Sequence, residues 1–213
     1  MKKACSPGLA LLLGLAVALA RAEEPKTFAV DEEGFIRNWL ALTPIALNAD
    51  VGAHTEDLQK PVFDKEYFAK QNAATPAADD KVTVADKELT WKAVACEVPW
   101  TFAEGAENAL FLVATYVVCD ADLPGVTLAI GSDDGSRWLL NGQEVIRVYA
   151  GRAVDKDQTK SAQPLTLKRG VNVLLGAVIN GGGPAGACAR FLDKDGNPVK
   201  SFKVTLTPPA AKP

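Results

Sequence analysis

Apolar and polar positions along this chain fall into short alternating or continuous runs, and few of them carry a helical period. "KVTVADKELTWKAVAC" (81–96) alternates around Val82, Val84, Leu89 and Trp91, the period of two expected of a half-buried strand. "NALFLVATYVVC" (108–119) is nearly continuous and rich in β-branched and aromatic side chains, which predicts a strand buried on both faces. "GVTLAIG" (125–131) follows a turn at Asp122-Leu123-Pro124-Gly125. "SRWLLNG" and "QEVIRVY" are joined by Asn141-Gly142, two residues that tolerate positive φ and so predict a tight hairpin. "PLTLKRGVNVLLGAVING" (164–181) predicts two strands about a turn at Arg169-Gly170. "ACARFLD" (187–193) predicts another, and Asp195-Gly196 a hairpin turn into "PVKSFKVTLT" (198–207).

Helical signal is confined to "PVFDKEYFAKQN" (61–72), enough for a turn or two. The domain opens with "EEGFIRNWLALTPIAL" (32–47), whose Phe35, Ile36, Trp39 and Leu40 supply apolar bulk. "AATPAADD" (73–80) and "GRAVDKDQTKSAQ" (151–163) read as polar connections, the second lying across a sheet edge. Regularly spaced short strands, little helix and no repeat predict an all-β fold, an antiparallel β-sandwich or jelly roll. An α/β fold would require helical patterns of about 10–15 residues between strands, and none is present.

The first residues, "MKKACSPGLALLLGLAVALARAEEP", place Lys2 and Lys3 before an apolar run and Ala20-Arg21-Ala22 after it. That order predicts a signal peptide over 1–22, removed before Glu23. The run from Leu9 to Ala20 is roughly 12 residues long, short of the ~20 that a membrane-spanning helix needs. Cys5 precedes the run, where a lipid-anchoring cysteine would follow it. The chain is therefore expected to be exported, to the periplasm or the extracellular space, as one domain over 23–207 with a disordered tail over 208–213.

Composition removes some functions. The net charge is −3 at pH 7, and loss of Lys2, Lys3 and Arg21 with the leader makes it more acidic. Nucleic acid is therefore not an expected partner. No second apolar run is long and uncharged enough to span a membrane. Cys96, Cys119 and Cys188 remain after cleavage; one disulfide with one cysteine left over, or three buried thiols, are equally open.

Catalytic patterns are thin. His54 is the single histidine and sits in a polar loop, and no Gly-x-Ser-x-Gly, P-loop, dinucleotide fingerprint or zinc spacing occurs. A non-catalytic protein is expected; a small secreted hydrolase using a carboxylate pair is the alternative. The stretch that invites chemistry is "GSDDGSRWLLNG" (131–142), where Asp133 and Asp134 sit side by side between apolar runs. They read as a plain turn, as hard oxygen ligands for calcium, or as acceptors for sugar hydroxyls beside an aromatic platform. Trp138, within an alternating strand, is expected in the core.

"LAIGSDDGSRWLLNGQEVI", "LTLKRGVNVLLGAVING" and "ACARFLDKDGNPV" together resemble the galactose-binding-like and protective-antigen-type β-sandwich modules of secreted bacterial proteins. The second stretch carries Leu167, Gly170, Asn172, Leu174 and Leu175 at the spacing seen in such modules, and the likeness runs over roughly 81–205. It implies a carbohydrate-binding module, with Asp133 and Asp134 as metal ligands for a calcium ion beneath the sugar. The ligand-facing set is then Asp133, Asp134, Arg137 and Asn141. Such modules also serve as structural or protein-docking units, so a partner in the cell envelope is the second expectation. The sequence departs from the pattern at Thr43-Pro44-Ile45, and in "GGGPAGACARF", where small residues replace an aromatic.

Overall fold

A computed structural model describes residues 25–48, 50–51, 56–101 and 106–209. The expected leader, His54 and most of the tail fall outside these. All strands pair antiparallel, in two sheets, and are numbered here along the described chain. The larger sheet holds β1 (Thr27–Ala29), β2 (Asn38–Leu42), β3 (Ile45–Ala46), β4 (Lys81–Val84), β5 (Lys87–Ala95), β7 (Ala109–Cys119), β9 (Ser136–Leu140), β10 (Gln143–Val148), β13 (Gly170–Asn180) and β15 (Lys203–Thr205). The smaller holds β6 (Trp100–Thr101), β8 (Leu123–Asp133), β11 (Thr159–Lys160), β12 (Leu165–Leu167) and β14 (Gly186–Leu192). The main order of the larger sheet is β10-β9-β13-β7-β2-β5-β4, and of the smaller β11-β8-β14-β6. This is the expected antiparallel β-sandwich. No described helix is long and apolar enough to cross a membrane.

The chain changes sheets after β5, β6, β7, β8, β10, β12, β13 and β14, so neighbours in sequence are often not neighbours in a sheet. Pairing decides what two of the expected turns join. The Asp133-Asp134-Gly135 segment is not a hairpin: β8 pairs with β14 and β9 pairs with β13, so these residues form a corner between the sheets. Likewise Arg169-Gly170 leads from β12 on one sheet to β13 on the other. An apolar run, a turn signal and a second apolar run look the same whether the second run folds back or crosses over.

Other differences are local. The stretch 81–96 is a hairpin of β4 and β5, turning at Ala85 and Asp86, both at positive φ, where alanine gives no warning. The turn expected at 122–125 ends earlier, and Leu123, Pro124 and Gly125 already belong to β8. The helical segment lies further upstream, as α1 (Glu56–Asp64), followed by a 3-10 turn at Gln71–Ala73. Between them the Gln71 Oε1 accepts the Tyr67 N–H, 2.9 Å away. The expected Asn141-Gly142 hairpin forms, with φ of 52° and 79°, and Thr159–Lys160 lies along the edge of β8.

Two cores result. The first, between the sheets, includes Trp39, Phe111, Leu128, Ile130, Trp138, Phe191 and Phe202. Trp39 meets Trp138 edge to face at 6.0 Å. The second lies on the outer face of the larger sheet, where Trp91, Leu110, Leu139 and Tyr116 are covered by the 56–77 segment with its Val62 and Phe63. The Tyr116 hydroxyl donates to the Pro76 carbonyl at 2.6 Å and ties that cover down. Arg147 reaches Asp64 on α1 at 2.6 Å while also pairing with Glu144, so the helix is held from its other side.

All three described cysteines are free and buried, which leaves the disulfide alternative without support. Burial pushes the Cys96 thiol up to about 12 and the Cys188 thiol to about 11, so both stay protonated.

Trp138 is fully buried and lies opposite Gly176 on β13. A Cβ at Gly176 would come within 2.7–2.9 Å of three atoms of that ring. Gly176→Ala is therefore expected to lower the unfolding free energy by about 1–3 kcal/mol in urea titration. Gly182→Ala, whose Cβ meets nothing within 4 Å, should change it by less than about 0.5 kcal/mol.

Candidate functional site

The corner at Asp133–Asp134 is built on buried polar groups. Its peptide bond is cis. Ser136 and Ser132, both fully buried, point toward each other from either side of it. The Trp138 indole N–H donates to Ser136 Oγ at 3.1 Å, Ser136 Oγ to Ser132 Oγ at 2.9 Å, and Ser132 Oγ to the Asp134 carbonyl at 2.9 Å. Arg152 closes the chain from outside, donating from Nη2 to Ser132 Oγ and from Nε to the Ser132 carbonyl, each at 3.1 Å. The core tryptophan and a loop arginine are thus joined through the corner by one line of hydrogen bonds.

Asp134, 8% exposed, spends both carboxylate oxygens on backbone. Oδ1 accepts the Arg152 N–H at 2.9 Å, and Oδ2 accepts the Gly181 N–H at 2.9 Å. Its own amide donates to the Ile179 carbonyl at 2.6 Å. Asp133 is half-buried, and its carboxyl is pushed up to about 6, first by burial and then by the adjacent Asp134 charge, against the Val154 N–H that it accepts. Its negative charge is therefore short of compensation.

The structure brings together only two of the four residues suggested by sequence. Arg137 points to the outer face, where it pairs with Glu144 at 2.6 Å and donates to the Phe63 carbonyl and Asn72 Oδ1 at 3.0 Å each. It fastens the 56–77 cover to β9. Asn141 sits at the opposite end of β9, roughly 20 Å from Asp134 by strand rise. There its Oδ1 accepts the Val173 N–H and its Nδ2 donates to Asn172 Oδ1, which orders the hairpin. Trp138 is core, as expected.

Asn180 takes a place at the corner that sequence reasoning missed. It ends β13 between Ile179 and Gly181, both of which are hydrogen-bonded to Asp134. Its side chain is 1% exposed, and Nδ2 donates to the Ala106 and Gly183 carbonyls. Its Oδ1 is buried with no hydrogen-bond partner among the described residues. A lone asparagine after the apolar run "VLLGAVI" was the available signal. Buried acceptors normally find a partner, so this atom stands out.

The donor types here fit a hard cation such as calcium, which takes six to eight oxygens from carboxylates, amides, carbonyls and water. Asp133, Asp134 and Asn180 are the side chains that would hold it. No third Asp, Glu, His or Cys joins the two aspartates among the described residues.

No family model matches the chain, and no curated protein matches it. Solved structures with a similar arrangement include the PA14 domain of the MpAFP antifreeze protein, at 14% identity and TM-score 0.43, covering 92% of this chain and 100% of that one. The A domain of epithelial adhesin 9 from Candida glabrata, solved in complex with Galb1-4GlcNAc, is 10% identical with TM-score 0.41, covering 88% of this chain and 97% of that one. A β-glucosidase from Kluyveromyces marxianus is 15% identical with TM-score 0.37, over 61% of this chain and 19% of that one. These values do not assign the chain to a family.

Two outcomes test the corner. Asp134→Ala leaves two amides without their acceptor and should cost about 3 kcal/mol in urea unfolding, with Asp134→Asn in between. For Asp133, the folded chain holds a proton between the ordinary carboxylate value of 3.8 and about 6 that the unfolded chain has released. Stability should fall as pH rises through that window and level off above it, in calcium-free buffer. Asp133→Asn should abolish this slope in thermal melts from pH 4 to 8.

Proposed function

We propose that this protein is an exported, non-catalytic carbohydrate-binding module of the protective-antigen type, with its ligand site at the Asp133–Asp134 corner and calcium as the assisting ion. The observation that carries the reading is the partly uncompensated Asp133 carboxylate beside Asp134, on a corner whose partner residues Ile179 and Gly181 flank Asn180, with its Oδ1 unpartnered among the described residues. Hard oxygen donors are concentrated there where the chain leaves one sheet for the other. When bound, calcium would supply charge neutralisation and open coordination positions for sugar hydroxyls. The chain's own residues do the rest. Asp134 holds the Gly181 and Arg152 backbones in place, and Ser132 and Ser136 brace the corner from within. The pattern of leader, acidic net charge and absent hydrolase motifs supports export and a binding rather than a catalytic role.

A glycan array, run with calcium and then with chelator, tests this directly. Binding is expected in calcium and lost on chelation, and calcium should raise the melting temperature. The variant Asp133→Asn/Asp134→Asn should lose both effects. Asn180→Ala should weaken calcium stabilisation without unfolding the chain. An array blank in both conditions, with melting indifferent to calcium, overturns the proposal.

A further inference from the structure

A groove of about 390 Å³ opens beside the second core, between β3, the β4–β5 hairpin and the residues that follow α1. Pro44, Ile45, Tyr67 and Leu89 give it an apolar lining. Its volume lies in the range of small-ligand sites. Lys65 and Lys87 are its charged lining residues, and no carboxylate lines it. That is the reverse of a chain whose net charge is −3. Neither lysine has an ion-pair partner among the described residues; the Lys65 ammonium lies 4.8 Å from the centre of the Tyr67 ring.

The groove is also wired to the corner. Leu47, next to the lining residues Ala46 and Asn48, donates its N–H to the Asn108 carbonyl at 2.7 Å. Asn108 in turn donates its N–H to the Gly181 carbonyl at 3.3 Å, and Gly181 donates to Asp134. Groove and corner therefore lie toward the same end of the sandwich.

We propose that this groove is a second subsite, taking an acidic sugar residue of a glycan bound at the corner. The inference rests on the carbohydrate reading above and adds the ligand's charge class. A hexuronate ring offers what the groove asks for: an apolar C–H face for Tyr67, Pro44 and Ile45, and a carboxylate for Lys65 and Lys87.

The test is calorimetric titration, in calcium, of hexuronate tetramers against neutral hexose tetramers. Wild type should bind the acidic tetramer about tenfold more tightly, the scale of two exposed ion pairs. The preference should shrink with added sodium chloride. Lys65→Gln/Lys87→Gln should erase it while leaving neutral binding and melting temperature unchanged, and Lys65→Arg/Lys87→Arg should keep it. Equal affinity of wild type for both tetramers, or a preference that survives in the Gln variant, overturns the groove and leaves the corner reading standing. Tighter binding of a glutamate tetramer also overturns it. Binding of neither sugar, with Asp133→Asn/Asp134→Asn indistinguishable from wild type, removes both.

Discussion

The hydrogen bonds of the Asp134 carboxylate hold this fold at its most awkward point. The chain leaves the smaller sheet at Asp133 and enters the larger one at Ser136, turning through a buried corner. Backbone amides there have no ladder of their own. Asp134 takes the amides of Arg152 and Gly181, while Ser132, Ser136 and the Trp138 indole satisfy one another behind it. A buried polar group without a partner costs more than a made hydrogen bond gains, so the corner survives because nearly every group in it is matched.

That rule gives the exception its meaning. Asn180 Oδ1 is buried beside the matched groups and has no partner among the described residues, and the Asp133 charge is only partly offset by the Val154 amide. Both shortfalls are of the same kind, oxygen without a positive partner, and they flank the same aspartate. The outer-face arginines show the contrast: Arg137 meets Glu144 and the Phe63 carbonyl, and Arg147 meets Glu144 and Asp64. Arg147 and Arg137 fasten the 56–77 cover to the larger sheet through Asp64, the Phe63 carbonyl and Asn72. The groove lysines Lys65 and Lys87 differ in having no ion-pair partner among the described residues.

Local pattern made the strands and the Asn141-Gly142 hairpin legible, because side-chain alternation and tolerance of positive φ are properties of neighbouring residues. It also placed Trp138 in the core and identified Asp133 and Asp134 as the chemically unusual pair. Ala85 hid the β4–β5 turn, since alanine carries no turn signal even where its φ is positive. The cysteines were ambiguous for a similar reason: spacing alone does not say whether two thiols face each other, and all three prove to be free and buried.

The sequence by itself determined the element type, from the period of two, and the place where carboxylates concentrate. Which strand pairs with which was decided only in three dimensions, because a one-dimensional pattern is the same for a hairpin and for a sheet crossing. That difference moved Asp133 and Asp134 from a turn between two successive strands to a buried corner between sheets. It separated them from Arg137, on the opposite face of β9, and from Asn141, at its far end. It set Asn180, 46 positions beyond Asp134 in the chain, beside them instead. Long-range antiparallel pairing, not residue type, chose the company these aspartates keep.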